Sequence, residues 1–379
     1  MKILIVGAGI GGMALAALLR QRGISVSLIE KKKSLADAGY MLTLYPMGSR
    51  VLHGLGGFDD FVNRSSEFRY YEVSNGHGEL LHRFDLSSVS ESVGFTGQIL
   101  RRDLLEILQS SAPDVPLLLD TGVRSITEIG EKVVVTNTNG ETEEFDGVIG
   151  ADGIHSATRQ LVFGANPDTE TGWGLWLWWG HFDDQPRNTV SEFWGRGLFL
   201  GVYPVPHRTG CLLAAPKALI GRDVVGNDGV GVRRLFLELG GRAADVAASF
   251  PDETKGLYYW NLEDQRAERW THGRVALLGD AACSFLPAAG VGASMAMESA
   301  AVLADELSRT DAKFLPNALA LYEKRRKHRA EAAQKEARKL AAWLTTESSA
   351  MAWTRDQFMK AASIDSLVGS IRKSLSEPL

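Results

Sequence analysis

A glycine-rich turn after the first apolar run constrains this chain more than any other feature of its sequence. Ile3–Val6 is a short apolar run typical of a buried parallel strand, and residues 7–12 follow it as GAGIGG, which fits GxGxxG. Gly7 permits a tight turn, Gly9 lets the backbone approach a pyrophosphate, and Gly12 lets a helix pack close to the strand. The helix that begins here directs its positive end at the same point. The pattern therefore predicts a dinucleotide site at a strand–turn–helix junction.

An acid at the end of the second predicted strand narrows the kind of dinucleotide. Val26 to Glu30 is the next apolar run, and Glu30 lies about twenty residues beyond the glycine turn. A carboxylate there hydrogen-bonds a ribose 2′-hydroxyl and disfavours a 2′-phosphate, so the site is predicted to hold FAD or NAD rather than NADP. A glycine turn that only caps a helix is the alternative. The strand, helix and acid in register favour the dinucleotide.

The composition is typical of a globular protein from a reducing compartment. Hydrophobic residues make up 45% and charged residues 23% of the chain. The net charge of −5 does not favour binding to nucleic acid or to an anionic membrane. Cys211 and Cys283 are too few for a disulfide framework, and no secretory signal precedes the first strand. The charge-free stretch 281–297 is interrupted by Pro287 and by glycines. We therefore expect a cytoplasmic protein with no transmembrane segment and no nucleic-acid partner.

Two further strand–turn–helix motifs follow the first. Residues 150–159, GADGIHSATR, place Asp152 where a predicted strand passes into a helix, and residues 275–282, VALLGDAA, place Asp280 at the end of another strand. Carboxylates at such strand ends lie where open α/β sheets bind ligands. Residues 290–293, GVGA, then begin a helix whose backbone donors can stabilise negative charge. Helix capping alone is the alternative for each motif.

In this order and spacing, the motifs resemble those of the single-component FAD-dependent monooxygenases of the aromatic-hydroxylase type, which have the para-hydroxybenzoate hydroxylase fold. That family shows GxGxxG with an acid, then DGxxSxxR, then GDAAH with a downstream proline and a GxG turn. The resemblance covers roughly residues 1–330, and three separated motifs make it specific. Residues 101–104, RRDL, and 270–275, WTHGRV, are similar to further family patterns.

The sequence departs from the family pattern beside the expected flavin ring. Cys283 stands where the family usually has histidine, Val291 replaces the glutamine of GQG, and Ser294 replaces an asparagine. These changes leave the backbone pattern intact but alter polarity, so they bear on substrate class more than on flavin binding. Cys283 is expected to be a buried packing thiol, with a redox-active thiol as the alternative.

The resemblance implies roles for individual residues toward FAD. Asp280 would hydrogen-bond the ribityl chain, and Gly292 and Ala293 would offer backbone amides to the isoalloxazine ring. Asp152 and Arg159 belong to the motif that supports both FAD and the incoming nicotinamide in this family. The residues implied to bind the cofactor are Gly7, Gly9, Ile10, Gly11, Gly12, Glu30, Lys31, Arg101, Val123, Asp152, Arg159, Asp280, Pro287, Gly290, Val291, Gly292 and Ala293.

The order of elements predicts an α/β fold: a Rossmann-like FAD-binding domain with an inserted antiparallel-sheet substrate domain and C-terminal helices. Seven of the nine tryptophans lie between residues 171 and 270, in alternating aromatic stretches that favour a sheet. The FAD-binding domain is assigned to 1–67, 98–170 and 271–335. The substrate-binding sheet is assigned to 68–97 and 171–270, and a helical tail to 336–379.

The activity that the resemblance implies is hydroxylation of an aromatic or polycyclic small molecule. NADH or NADPH would reduce FAD, and O₂ would then react through a flavin hydroperoxide. A flavin enzyme of the same fold that inserts no oxygen, such as a dehydrogenase or reductase, is one alternative. A flavin-binding regulator without turnover is the other. The sequence predicts neither the substrate, nor the choice of NADH or NADPH, nor the oligomeric state.

Residues for substrate contact and catalysis are suggested only by type and region. The substrate would lie against the tryptophan-rich sheet, with Trp176 and Trp178 as candidate contacts. His181, Tyr203 and His207 are candidate bases for a phenol proton.

Two further features of the sequence bear on the site. The eight histidines show no metal-ligand spacing, so no metal is expected. Apolar residues in the C-terminal tail would pack on the body of the protein or cap the substrate cavity; they are Trp343, Met351, Trp353, Phe358 and Met359.

Overall fold

The computed structural model describes residues 1–35, 39–164, 169–220, 228–237, 239–255 and 257–363. Its strands are β1 (Lys2–Val6), β2 (Ser25–Ile29), β3 (Met41–Leu44), β4 (Ser65–Glu67), β5 (Tyr70–Asn75), β6 (Leu80–Asp85), β7 (Gly97–Leu100), β8 (Leu117–Leu118), β9 (Val123–Ile129), β10 (Lys132–Asn137), β11 (Thr142–Phe145), β12 (Gly147–Gly150), β13 (Thr169–Gly180), β14 (Thr189–Trp194), β15 (Phe199–Val205), β16 (Arg208–Pro216), β17 (Tyr258–Asp264), β18 (Thr271–His272) and β19 (Val275–Leu277). Its α-helices are α1 (Ile10–Gln21), α2 (Pro46–Leu55), α3 (Phe58–Asn63), α4 (Ser87–Val93), α5 (Arg101–Ser110), α6 (Ala157–Phe163), α7 (Gly229–Phe236), α8 (Arg242–Ala248), α9 (Gly292–Ser308), α10 (Leu315–Leu344) and α11 (Ser349–Ala361).

A six-stranded sheet carries the glycine turn. Its order is β18-β19-β12-β1-β2-β8, and the strands from β19 to β8 are parallel. Ile3 and Ile5 of β1 are fully buried, as expected for a parallel strand covered on both faces. α1 packs against α9 and α5 beside this sheet. The three predicted motifs therefore lie together, because β1, β12 and β19 are neighbours with the same direction.

A seven-stranded sheet combines two distant parts of the chain. Its order is β17-β13-β16-β15-β14-β5-β6. β5 and β6 form an antiparallel hairpin. β5 runs parallel to β14, with Tyr71 opposite Val190, while the other neighbours are antiparallel. The predicted α/β fold, with a Rossmann-like domain and an inserted sheet, is confirmed.

Two three-stranded sheets complete the described architecture. β3 and β4 both pair antiparallel with β7, and β9, β10 and β11 form an antiparallel meander. β9 and β10 form a hairpin and are joined by a turn at Gly130.

The C-terminal helices pack on the body of the protein. α10 is anchored at its start by Tyr322, whose hydroxyl donates to the Leu277 carbonyl at 3.0 Å, and by a buried Arg326–Glu298 ion pair at 2.6 Å. The boundary predicted at 335/336 lies inside this helix. The helix continues because neither glycine nor proline interrupts residues 317–344. Residues 364–379 of the predicted tail lie outside the described residues. None of the described helices combines the length and the apolar composition needed to cross a membrane.

Candidate functional site

A cavity of about 1520 Å³ lies between the two large sheets. Its walls include the glycine turn, the ends of β2, β12 and β19, one face of the seven-stranded sheet, and parts of α10 and α11. Pockets for a single drug-sized ligand are roughly 300–1,000 Å³. The cavity therefore has room for a dinucleotide and a second molecule.

The glycine turn is shaped by close backbone packing. Gly7 has φ +106°, and a Cβ there would lie 2.7 Å from the Ala151 carbonyl carbon and 2.8 Å from Asp152 Cα. A Cβ at Gly12 would overlap the Gly7 carbonyl oxygen. Gly12 is buried and packs against the turn rather than facing the cavity, whereas Gly7, Gly9, Ile10 and Gly11 line it. Its part in the site is therefore to set the position of α1.

Gly9 and Arg101 together form a cradle for a negatively charged group. A Cβ at Gly9 would have one described side-chain atom near it, Arg101 Nη2 at 3.9 Å, so the space beside this backbone belongs to the cavity. α1 begins at Ile10 and directs its free N–H groups at the same space. Arg101 starts α5, and its guanidinium lies over the Tyr40 ring at 5.6 Å. These donors fit a pyrophosphate.

Glu30 supports the turn as well as facing the cavity. Its carboxylate accepts hydrogen bonds from the Ala8 and Lys32 backbone N–H groups, each at 2.9 Å. Lys31 and Val123 line the cavity next to it. The bond from Ala8 ties the end of β2 to the glycine turn, a link that the sequence pattern did not predict. This end of the cavity fits a ribose and a flat base.

We expect Glu30→Ala to weaken FAD binding by at least about tenfold, because it removes an acceptor at the strand end and a bond that holds the turn. Hydrogen bonds to charged groups are worth about 1.5–3 kcal/mol. Titration of the apoprotein with FAD, followed by flavin fluorescence, measures the change. Glu131→Ala, in the exposed turn after β9, is the matched control. Equal FAD affinity in the Glu30 and Glu131 variants would contradict the assignment.

Asp280 presents a carboxylate to the middle of the cavity. It follows β19 and Gly279, which has φ +63°. Its side chain is open to the cavity, but the cavity walls keep bulk water away from it, so desolvation raises its pKa to about 6, partly offset by the Arg101 charge. Within the described residues, no hydrogen-bond donor reaches this carboxylate. A ligand with hydroxyl groups is the partner that this acceptor fits.

The start of α9 provides a second positive helix end at the cavity. Pro287, Gly290, Val291, Gly292 and Ala293 all line it, and Gly290 has φ +62°. A Cβ at Gly292 would meet no described atom closer than Phe285 at 4.0 Å, so this backbone also lies open to a ligand. The free N–H groups at the start of this 17-residue helix can stabilise negative charge on a bound ring.

The motif at residues 150–159 supports the wall of the cavity through hydrogen bonds within the protein. Asp152 lines the cavity, but its carboxylate accepts hydrogen bonds from the Ser156 and Thr158 hydroxyls and from the Thr158 N–H. Arg159 is buried and donates to the Ala281 carbonyl at 2.9 Å and the Ile154 carbonyl at 2.5 Å. Arg159 therefore braces the loop that carries Asp280, and the structure places it out of contact with the cavity. This corrects the expectation that it binds the cofactor directly.

The candidate tryptophan contacts lie on the wrong face of the sheet. Trp176 and Trp178 pack against Phe250, with ring centroids 6.1 and 5.1 Å apart, and Trp178 donates to the Ser249 hydroxyl at 3.0 Å. Strand alternation sends Leu175 and Leu177 to the cavity instead. The expectation that Trp176 and Trp178 contact substrate is therefore wrong for this geometry. Both faces of β13 are apolar, so its alternation could not show which face is covered by α8.

Of the three candidate bases, one reaches the cavity. His181 is exposed beside Asp183, and His207 is exposed with φ +70° in the turn between β15 and β16. Neither lines the cavity, because each lies just beyond the end of a strand, at the edge of the sheet. Tyr203 of β15 does line it.

The face of the seven-stranded sheet toward the cavity is mainly apolar. We name this part of the cavity the apolar compartment, and the residues that define it are Phe68, Leu86, Leu175, Val190, Trp194 and Leu212. Trp343, Phe358 and Met359 of α10 and α11 also line the cavity, whereas Met351 and Trp353 do not. Part of the C-terminal region therefore covers the cavity, which the sequence offered as one of two alternatives.

A buried acid in the apolar compartment was missed by the sequence analysis. Glu192 of β14 accepts hydrogen bonds from the Tyr71 hydroxyl at 2.5 Å, the Tyr203 hydroxyl at 2.6 Å and Trp194 Nε1 at 2.9 Å. Burial raises the pKa of Glu192, and these three donors lower it in part. The sequence does place a single acid, Glu192, in an otherwise largely apolar strand. Strand alternation puts this acid on the same face as Val190 and Trp194.

Both cysteines are buried away from reactive surroundings. Desolvation raises the pKa of Cys211 and of Cys283 to about 12. A thiol with a raised pKa is a poor nucleophile, so the geometry favours packing for Cys283.

Comparisons with known proteins agree with the features of this cavity. A family model described as an FAD binding domain matches residues 1–195 and 238–337. The chain is 30% identical over 374 residues to 3-amino-4-hydroxybenzoate 2-monooxygenase of Streptomyces cremeus, covering 95% of this chain and 92% of that protein. It is 28% identical over 333 residues to a flavin-dependent monooxygenase from an unknown prokaryotic organism, covering 83% and 82%. The crystal structure of Klebsiella pneumoniae HpxO with FAD and uric acid matches with a TM-score of 0.89 and 25% identity, covering 99% and 96%.

Proposed function

The chain belongs to this FAD-binding family of flavin-dependent monooxygenases, and we propose that it uses NAD(P)H and O₂ to hydroxylate a planar aromatic molecule held in the apolar compartment. The observation that carries the proposal is that one cavity contains two different kinds of site. Gly9, Arg101 and Asp280, which suit a dinucleotide, line one part of it, and the apolar compartment forms another part.

The chain's own residues supply binding and orientation for FAD. Arg101 and the start of α1 would hold the pyrophosphate, Glu30 the adenosine ribose, and Asp280 the ribityl hydroxyls. The start of α9 would face the flavin ring. Hydride acceptance from NAD(P)H and activation of O₂ are the chemistry that FAD supplies when it is bound.

The apolar compartment supports an aromatic substrate. Its aliphatic and aromatic walls exclude water and favour a flat, weakly polar molecule. Related proteins act on or bind planar ring molecules, as the names 3-amino-4-hydroxybenzoate 2-monooxygenase and HpxO with uric acid state. The need for NAD(P)H and the two buried free cysteines favour a cytoplasmic location.

We expect slow NAD(P)H oxidation by the FAD-loaded protein alone and at least about tenfold stimulation by a planar phenolic or polycyclic aromatic. The GxGxxG turn is the single dinucleotide motif in the sequence, so NAD(P)H binds transiently and substrate can control its access. Tenfold corresponds to about 1.4 kcal/mol in the barrier. Oxygen-18 tracing from O₂ into the product tests insertion directly.

The residues that line the cavity also predict which tryptophan matters for this stimulation. Trp260→Ala removes an indole that lines the cavity and packs against Tyr40, with ring centroids 5.4 Å apart, and should reduce the stimulation. Trp353→Ala removes an exposed indole and is the matched control. Stimulation is compared at equal FAD content. Fast oxidation without any aromatic, and no oxygen-18 in product, would instead support the reductase alternative.

A further inference from the structure

The wall of the apolar compartment contains one carboxylate, that of Glu192. β14 alternates so that Val190, Glu192 and Trp194 face the cavity while Phe193 packs on the opposite face. Glu192 is 8% exposed, and a buried carboxylate is costly unless hydrogen bonds compensate it. Its charge and its hydrogen bonds therefore decide which polar groups of a substrate this wall can accept.

The hydrogen-bond donors around Glu192 are all directed at protein oxygens. Tyr71 and Trp194 donate to its Oε2, and Tyr203 donates to its Oε1. The Tyr45 hydroxyl, which also lines the cavity, donates to a backbone carbonyl at 3.3 Å. These groups leave a ligand only lone pairs, one on Oε1 and others on the tyrosine oxygens. This part of the wall therefore accepts hydrogen bonds and offers none.

A glycine in the neighbouring strand holds this arrangement in place. Gly201 lies opposite Glu192 in the β14–β15 pair. A Cβ at Gly201 would lie 2.5 Å from Tyr203 Cε2 and 2.9 Å from its hydroxyl oxygen. The Tyr203 ring therefore lies over the backbone of Gly201, in space that any larger residue would fill. Packing, and not one flexible side chain, fixes the Tyr203–Glu192 contact.

The cations that line the cavity lie away from Glu192. Among the described residues, Arg101 and the two lysines after Glu30 line the dinucleotide end, and the remaining cations belong to α10. On α10, Arg329 pairs with the buried Glu298 at 2.8 Å, while one histidine and two lysines are exposed to solvent. An anionic group held beside Glu192 would therefore gain no cation to offset the repulsion between the two charges.

An amino group on an aromatic ring is the substituent that matches this wall. It has two N–H donors, and its lone pair is delocalised into the ring and needs no donor. A phenol has one O–H donor, but the lone pairs on its oxygen would face those of the tyrosine oxygens. A carboxylate has only acceptors and brings a second negative charge to a buried acid, so it fits this wall least well.

We propose that Glu192 makes the apolar compartment selective for aromatic amines and excludes aromatic carboxylates. One N–H of the amine donates to Glu192 Oε1, and the other donates to a neighbouring tyrosine oxygen. No covalent bond forms or breaks in this contact, so the role of Glu192 is to select the substrate. The inference rests on the proposed function and narrows its planar aromatic molecule to one that bears an amino group.

The selectivity should depend on pH. Burial raises the pKa of Glu192, and its three donors lower it in part. The titratable groups that face it among the described residues are Tyr71 of β5, Tyr203 of β15 and Tyr45 before α2. Burial and then the Glu192 charge raise the pKa of all three, so they stay neutral. As the pH falls through the raised pKa of Glu192, the acid loses its charge and gains an O–H donor.

The test titrates FAD-loaded protein with four probes that share one ring system: 2-naphthylamine, 2-naphthol, 2-naphthoate and 2-methylnaphthalene. The change in flavin absorbance gives each dissociation constant. The wild type should bind the amine about 10- to 100-fold more tightly than the methyl compound, because its N–H groups bond to a charged acceptor. It should bind naphthoate more weakly than the methyl compound.

A substitution that keeps the shape of the acid isolates its charge. Glu192→Gln adds a donor and removes the negative charge, so it should lower the ratio of amine affinity to naphthoate affinity by at least about tenfold while FAD is retained. Glu72→Gln is the matched control, because Glu72 lies in the adjacent strand β5 and bonds to Ser191 and Arg83 on the opposite face. Its ratio should equal that of the wild type.

The wild type supplies a second measurement that needs no variant. At pH values where both probes keep their own charge, lowering the pH through the raised pKa of Glu192 should weaken binding of the amine and strengthen binding of naphthoate. Binding of 2-methylnaphthalene, which has no polar group, should stay constant over the same range. A ratio that does not change with pH would contradict the role of Glu192 even if Glu192→Gln fails to fold.

The outcomes separate this inference from the proposed function. Naphthoate or naphthol binding as tightly as the amine, or an unchanged ratio in Glu192→Gln, would overturn the selectivity while the aromatic site stands. An equal change in Glu72→Gln would attribute the effect to the sheet as a whole and would also overturn it. If none of the four probes binds, the aromatic site of the proposed function fails, and this inference fails with it.

Discussion

Gly7→Ala protein is expected to purify essentially without FAD. Gly7 has φ +106°, a conformation that costs an L side chain about 1–3 kcal/mol, and its Cβ would lie 2.7 Å from the Ala151 carbonyl carbon. Relief of the clash requires the ends of β1 and β12 to separate, at the point where the pyrophosphate would lie. Flavin absorbance per chain after gel filtration measures occupancy, and far-UV circular dichroism confirms that the chain is folded.

Gly23→Ala separates backbone strain from loss of the site. Gly23 follows α1 at φ +71°, but no described atom lies within 4 Å of a Cβ built there. This variant should lose about 1 kcal/mol of stability and keep its FAD. Wild-type occupancy in Gly7→Ala would show that the turn does not hold the cofactor, and loss of FAD in both variants would attribute the effect to stability.

Asp280→Ala is expected to leave a folded protein whose FAD affinity is roughly 10- to 100-fold lower. The carboxylate is positioned to accept hydrogen bonds from ligand hydroxyl groups, and a hydrogen bond to a charged acceptor is worth about 1.5–3 kcal/mol. Fluorescence titration of the apoprotein with FAD gives the affinity. Asp146→Asn is the control, because this buried carboxylate binds Lys132 and the Lys2 backbone N–H away from the cavity. Full FAD affinity in Asp280→Ala would refute the role.

The raised pKa of Asp280 adds a pH-dependent signature. Its pKa is about 6 in the folded apoprotein and 3.8 in the reference state, so the folded state binds this proton more tightly. The apoprotein therefore loses stability as the pH rises from about 4 to about 6. Asp280→Asn removes that loss, so its apoprotein should melt above the wild type at pH 8, with the difference shrinking toward pH 4. Wild-type FAD binding should weaken as the pH falls through about 6, and Asp280→Asn should lack this dependence.

The cofactor half of the site could be predicted from local sequence. Gly7, Glu30 and Asp280 are positioned by the ends of parallel strands, and each strand end is marked within a few residues by an apolar run and a glycine. Parallel neighbours bring these ends to one edge of the sheet. Spacing along the chain is then enough to place the residues together and to predict a dinucleotide site, whereas FAD in particular was implied by the family resemblance.

The local sequence pattern could not predict the position of a side chain whose neighbours are distant in the chain. Arg159 looked like a ligand-binding arginine in its motif, but it bonds to Ala281, 122 residues away, and so braces the Asp280 loop. The motif indicated that the residue matters to the site. It did not indicate on which side of the cavity wall the guanidinium lies.

The sequence by itself determined the Rossmann-like domain, the glycine turn and a dinucleotide site, because backbone geometry near a strand end depends on residues close in the chain. The tertiary structure alone decided the substrate half. Both faces of β13 are apolar, so only the packing of α8 and Phe250 against one face turned Trp178 away from the cavity. Tyr71 meets Glu192 across 121 residues, because β5 pairs with β14. Side chains that come together only through strand pairing leave no local pattern, since alternation fixes the face of each strand but not its neighbour.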